Sequence, residues 1–303
     1  MRDWGEKENR RNGFILCGLV FFVIAATVFC MIADGRETAK EQAEIAAEKK
    51  AEEAAEKARK KAEEAAEKAR KKAEEQRKLA SSVQPGVPVG TTEVNDNEKV
   101  IYLTFDDGPS ANTEEILKIL DKYNVKATFF ITGEDESHRY LIKKAYDAGH
   151  TIGLHTYSHK YSEVYASVDA YFEDLNKIGK IAEEQLGFVP CFIRFPGGAS
   201  NKVSAQYCKG IMSRLVELVQ EKGYQYYDWN LDSGDGAGKG KDELIRNSRT
   251  DKLNHIMLLC HDAGAKHETV EALPSIIEYY QQKGYEFRAI DRESYVVHHK
   301  VNN

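Results

Sequence analysis

Cysteine is scarce. The 303 residues contain five, too few in a chain this long for a fold built on disulfides. Cys17 and Cys30 lie inside an apolar run, and Cys191, Cys208 and Cys260 read as buried free thiols, with one bridge between Cys191 and Cys208 the alternative. A basic excess is also missing. Residues 81–303 hold 25 Lys/Arg against 33 Asp/Glu, which excludes a nucleic-acid ligand, because phosphate binding rests on clustered cations. Neither GxGxxG nor GxxxxGK[ST] follows any apolar run, so nucleotide cofactors lack their phosphate cradle. What is present is 42% hydrophobic residues, enough for a real core, in a length that suits about two domains or one large barrel with appendages.

Charge is absent altogether from residues 14–33, FILCGLVFFVIAATVFCMIA. Twenty helical residues rise about 30 Å, the thickness of a bilayer's hydrocarbon layer. A cleaved secretory signal has a shorter apolar core and small residues at its cut, where this chain offers Met31. The run therefore predicts an uncleaved, single-pass membrane anchor. Arg10 and Arg11 abut it, so residues 1–13 are expected to be cytoplasmic and everything after the span extracytoplasmic.

Residues 36–80 carry 14 basic and 12 acidic side chains. Here AEEAAEKARKK (51–61) repeats without a change at 62–72, in residues that favour helix, with Glu placed four before Lys. The 11-residue period is close to that of a straight helix. Its recurring face is alanine only, which predicts a solvated spacer reaching roughly 60 Å rather than an oligomerising coiled coil. Pro85, Gly86, Pro88 and Gly90 break the pattern, so 81–98 reads as a linker and the folded domain as 99–303.

Within 99–303, apolar runs at 100–105, 127–132, 151–154, 192–195, 224–231, 256–260 and 286–290 alternate with segments of helical spacing. This predicts an α/β fold with a mainly parallel sheet: a distorted or incomplete (β/α) barrel, with a doubly wound sheet as the alternative. The runs end in chemistry: Asp106-Asp107-Gly108-Pro109, His155-Thr156-Tyr157-Ser158-His159, Arg194 before Pro196-Gly197-Gly198, Asp232-Ser233-Gly234-Asp235, and His261-Asp262. Strand C-termini in such folds converge on one face. Singly, each motif is a turn signal or a solvated pair; five at successive strand ends point to one site. Two histidines four apart and an aspartate make a three-ligand metal set with an open position. A second carboxylate can take a proton from water, a distant histidine can protonate a leaving group, and the glycine turn can aim an N–H at an oxyanion. Together these features predict a metal-dependent hydrolase.

These five motifs, with Thr104-Phe105 opening the first, Trp229-Asn230-Leu231-Asp232 as the fourth and Leu258-Leu259-Cys260 leading into the fifth, resemble those of the polysaccharide deacetylases, the NodB-homology domain of carbohydrate esterase family 4. The resemblance covers about residues 99–295. It implies a distorted (β/α) barrel that removes N-acetyl groups from a sugar polymer, with Asp106 as general base and Asp107, His155 and His159 as ligands of a divalent metal, zinc before cobalt or others. It further implies that Arg194 holds Asp106, that Asp232 orients the general acid His261, and that Gly197 offers an oxyanion N–H. Leu259 would line the acetyl pocket, and Trp229 belongs with the substrate-binding residues. This chain departs from many members at Phe195 and Gly197, and in the Gly-rich stretch 234–240. Combined with the anchor and spacer, the expected substrate is a cell-wall polysaccharide, the N-acetylglucosamine or N-acetylmuramic acid of peptidoglycan. Chitin-like or O-acetylated xylan-like polymers, or a non-catalytic polysaccharide-binding role, are the alternatives.

Overall fold

The computed structural model describes residues 37–95 and 97–303; the expected cytoplasmic segment 1–13 and anchor 14–33 lie outside them. Among the described residues no helix is long and apolar enough to cross a membrane. The described residues fall into two units, one ending at Lys72 and the other Ala73–Asn303. Helix α1 runs Glu37–Ser81, matching the helix-forming composition. Residues 46–76 are exposed throughout, the alanine face included, and i,i+4 pairs such as Lys60–Glu56 and Lys71–Glu67 decorate them. Pairs this exposed add little stability each.

The second unit is a curled parallel sheet wrapped by helices. Its strands are β1 (Val100–Asp106), β2 (Ala127–Thr132), β3 (Thr151–Thr156), β4 (Phe192–Ile193), β5 (Gln225–Tyr226), β6 (Leu231–Asp232), β7 (His255–His261) and β8 (Glu286–Phe287). The helices are α2 (Ala111–Lys122), α3 (Tyr140–Asp147), α4 (Tyr161–Val164), α5 (Val168–Leu186), α6 (Ile211–Glu221), α7 (Lys241–Asn247) and α8 (His267–Gln282). The sheet order is β5-β4-β3-β2-β1-β7-β6, with β8 also pairing β1. That is the order of a seven-strand ring opened between β5 and β6, so the barrel reading holds and the doubly wound alternative does not.

The apolar run 224–231, expected as one strand, is two. Its halves pair with β4 at one end of the sheet and with β7 at the other. Four residues, Tyr227 to Asn230, bridge the gap between them, and they are what nearly closes the ring.

Side chains on the long strands alternate between two apolar layers, as the period of two requires. On β1, Ile101, Leu103 and Phe105 join the large layer between sheet and helices, while Val100 and Tyr102 join a smaller inner layer with Phe130, Phe192, Tyr227 and Met257. Above the inner layer the same face turns polar, at Thr104 and Asp106. The barrel is thus filled by hydrocarbon below and charge above, at the strand C-termini.

The stretch 81–98 is not a free linker. The valine spacing hidden between its Pro and Gly residues packs Val83 and Val89 against the inner layer. Val83 N–H donates to Val189 O (3.0 Å), Gly90 N–H to Arg292 O (2.6 Å), and Thr91 N–H to Ser294 O (3.0 Å). Arg292 in turn donates to the carbonyls of Ala80, Ser82 and Pro88 at 2.6, 2.5 and 3.3 Å. Arg77, in the last turns of α1, lies over the Tyr146 ring and donates to the carbonyls of Tyr146 and His150 at 2.8 and 2.7 Å. The globular unit therefore begins at Ala73 rather than Lys99. A protein of residues 73–303 is expected to unfold on the order of 5–10 °C above one of residues 99–303, from two part-buried valines and their hydrogen bonds. Equal melting temperatures by calorimetry would restore the linker.

Candidate active site

Asp106 and His261 end neighbouring parallel strands and are register partners, so the ladder itself sets carboxylate beside imidazole. Asp106 is buried and its Oδ1 accepts from Arg194 Nη1 at 2.8 Å. Arg194 is fully buried, so its donors must find partners within the protein. Its remaining donors go to Thr104 Oγ1 (2.7 Å), Tyr227 O (2.8 Å) and Asp228 O (3.2 Å), and its guanidinium lies 4.3 Å from the centre of the Phe130 ring. Burial raises the Asp106 carboxyl above its ordinary range, while Arg194 and then His261 pull it back down without cancelling the rise.

Asp107, His155 and His159 present three ligand atoms all within 4.8 Å of one another. His155 donates its Nδ1–H to Arg194 O at 2.7 Å, which leaves the Nε2 lone pair facing inward. That nitrogen lies 3.5 Å from Asp107 Oδ1, and His159 Nε2 lies 3.4 Å from the same oxygen. Asp107 Oδ1 is buried and accepts no hydrogen bond from a described residue. Burial, with the neighbouring His159 and Arg194, pushes His155 down to about 3 against the opposing pull of Asp107, so it is neutral at physiological pH. A carboxylate oxygen and a ring lone pair facing each other without a proton repel, unless a cation sits among them. The donor set, one oxygen and two imidazole nitrogens, fits a divalent metal. Both Asp107 (φ 73°) and His159 (φ 49°) take left-handed backbone to reach it.

One expected contact is replaced. Asp232 is exposed, and its Oδ1 accepts Gly234 N–H at 2.7 Å, closing its own turn. Asp235, three residues on and buried, takes the histidine: its Oδ1 lies 2.7 Å from His261 Nδ1, and its Oδ2 accepts from His261 N–H (2.6 Å) and Thr269 Oγ1 (2.8 Å). Burial disfavours an imidazolium here, yet the hydrogen bond and charge of Asp235, followed by the charges of Asp106 and Asp107, lift His261 to about 9.

The remaining expected residues stand around this centre. Leu259 is buried two residues before His261, so it shares the inward face. Gly197 is exposed at φ 73°, and no described residue accepts from its N–H. The half-buried Trp229 packs on the inner layer with its ring against Gly198.

Two buried carboxylates that carry no motif hold the loops in place. Asp174 of α5 accepts from Thr156 Oγ1, Tyr157 N–H (2.6 Å) and Ser158 N–H (3.0 Å), fixing the backbone between His155 and His159. Asp228 accepts Ala199 N–H (2.8 Å) and His299 N–H (2.7 Å), tying the glycine turn to the chain's last residues. Asp174 sits in an amphipathic helix, where an Asp ordinarily faces water, so only its burial reveals its role.

A parallel barrel whose strand ends gather a buried carboxylate, an aspartate-paired histidine and a three-donor cluster able to hold a metal ion has the arrangement a hydrolase needs. Residues 93–214 match the polysaccharide deacetylase family. The chain is 33% identical over 202 residues to a peptidoglycan-N-acetylglucosamine deacetylase of Bacillus cereus, spanning 65% of this chain and 89% of that protein. It superposes on the catalytic domain of a peptidoglycan N-acetylglucosamine deacetylase from Eubacterium rectale with a TM-score of 0.67 and 42% identity, covering 70% of this chain and 98% of the other. A bifunctional xylanase/deacetylase of Pseudobutyrivibrio xylanivorans is 29% identical over 69% of this chain and 32% of its own length. This protein belongs to the polysaccharide deacetylase family.

Asp232, which ends β6, and Asp235, which follows it, are separable by titration. Because Asp235 raises the histidine, its contribution to stability is complete below pH about 6.5, the ordinary histidine value, and is lost as pH rises through about 9. NMR titration is expected to place His261 near 9 in the wild type and in Asp232→Asn, and at least about one pH unit lower in Asp235→Asn. An unmoved His261 in Asp235→Asn would return the role to Asp232.

Proposed function

We propose that this protein is a divalent-metal-dependent N-deacetylase of peptidoglycan, acting on N-acetylglucosamine, and that residues 14–33 tether it to the membrane with the barrel outside the cell. One observation carries the reaction: Asp106 held by Arg194, and His261 held by Asp235, end adjacent strands beside the Asp107–His155–His159 set. The relatives named above support the substrate.

Asp107, His155 and His159 would hold the metal, with zinc favoured by one carboxylate and two imidazoles. When bound there, the ion supplies Lewis acidity toward the acetyl carbonyl and toward a water. Asp106 accepts the proton from the attacking water as its oxygen adds to the acetyl carbon, and Arg194 keeps that carboxylate charged and aimed. Gly197 N–H receives the negative oxygen that forms. His261 then delivers a proton to the sugar nitrogen as the C–N bond breaks, releasing acetate and a free amine, with Asp235 fixing the ring. An amine leaves poorly unless protonated, so a histidine lifted to about 9 suits an amide better than the O-acetyl esters of xylan.

Incubating residues 73–303 with wall fragments and a divalent metal is expected to remove acetyl mass from glucosamine, read by tandem mass spectrometry. Asp106→Asn is expected to lower kcat by at least about 10³-fold while the metal stays bound, and His155→Ala to lose the metal itself. Acetyl loss from xylan oligomers but not from wall glycan would replace amide with ester chemistry.

A further inference from the structure

Tyr161 opens α4, two residues after the ligand His159, and belongs to no motif. Its half-buried ring is clamped edge-on between His159 (centroids 6.0 Å) and Tyr165 (5.4 Å). Tyr165 is itself fixed, donating its hydroxyl to Pro196 O at 2.8 Å, immediately before the glycine turn. The clamp carries the Tyr161 hydroxyl onto that turn. A Cβ added at Gly197 would lie well inside van der Waals contact distance of Tyr161 Oη, while lying 3.2 Å from Asn201 Cβ and 3.5 Å from Tyr161 Cζ. The oxygen thus occupies the volume that a side chain at 197 would take, so Gly197 is required by a neighbour as well as by its own φ of 73°.

Among the described residues nothing hydrogen-bonds to this hydroxyl. A phenol fixed in place against the exposed residue Gly197, with its donor uncommitted, is available to a ligand atom at that turn. With its ring centroid 6.0 Å from that of His159, Tyr161 stands beside the Asp107–His155–His159 cluster.

We propose that Tyr161 is a second oxyanion donor, its hydroxyl joining Gly197 N–H on the acetyl oxygen as that oxygen becomes negative. The assignment rests on the deacetylase reading. It adds a side-chain donor to the backbone one, from a helix whose C-cap residue, Tyr165, binds the carbonyl immediately before the same turn.

Tyr161→Phe keeps the ring and both aromatic contacts and removes only the oxygen. With N-acetylglucosamine oligomers, kcat is expected to fall on the order of 10²-fold, with KM within about twofold and bound metal unchanged, as for loss of one oxyanion donor. A kcat within about twofold of wild type, or a change in KM alone, overturns the proposal. Loss of bound metal overturns it too, by making Tyr161 a positioning residue for His159. A readout independent of turnover comes from thermal unfolding of Gly197→Ala in both backgrounds. The new methyl meets the hydroxyl only in the wild type, so its destabilisation is expected to be smaller in Tyr161→Phe, and equal losses place the hydroxyl elsewhere. No turnover by the wild type removes the deacetylase reading and this inference with it; an active wild type with an equally active Tyr161→Phe removes this inference alone.

Discussion

The buried guanidinium of Arg194 is the part on which the rest of the barrel depends. A charge taken fully out of water must be paired and hydrogen-bonded, or it costs several kcal/mol. Its nitrogens meet that requirement by drawing four groups together: Asp106 and Thr104 of β1, and the carbonyls of Tyr227 and Asp228 in the segment that spans the ring's opening. Its own carbonyl accepts the proton of His155 Nδ1. One residue therefore closes the barrel, anchors Asp106 and fixes the tautomer of His155. Satisfying the charge and assembling the site are the same event.

Around that centre the two acid–base groups are driven in opposite ways. Asp106 has a cation as its nearest partner and must give up a proton despite burial. His261 has an anion as its nearest partner and keeps one despite burial. The β1–β7 ladder brings the two together, but their ion partners come from elsewhere, one from β4's end and one from the loop after β6. Each group's charge is set by a residue from a different part of the chain.

Much of this was legible in the sequence, because strand ends in a parallel fold share a face and the reactive residues sit directly after apolar runs. What was not legible depended on three-dimensional choice. Asp232 and Asp235 follow the same run, and only the local turn, in which Asp232 binds Gly234 N–H, decides that the second reaches His261. The run 224–231 has the composition of one strand, and periodicity does not tell that its halves pair with opposite ends of the sheet. Val83 and Val89 were masked by the prolines and glycines around them. Tyr161 and Asp174 lie in helices, where nothing in spacing separates a site residue from a surface one.

The split of that run also bears on how copies of the protein meet one another. An open sheet has two edges whose unpaired backbone recruits strands from other chains. Here each edge strand is only two residues long, Gln225–Tyr226 and Leu231–Asp232. Between them, Tyr227, Asp228 and Asn230 already donate their N–H groups to Ile193, Val297 and Met257 at 2.9, 2.8 and 3.2 Å. A neighbour finds almost no ladder to extend. The ring's incompleteness thus exposes little backbone for strand exchange or aggregation, even where many copies are crowded together.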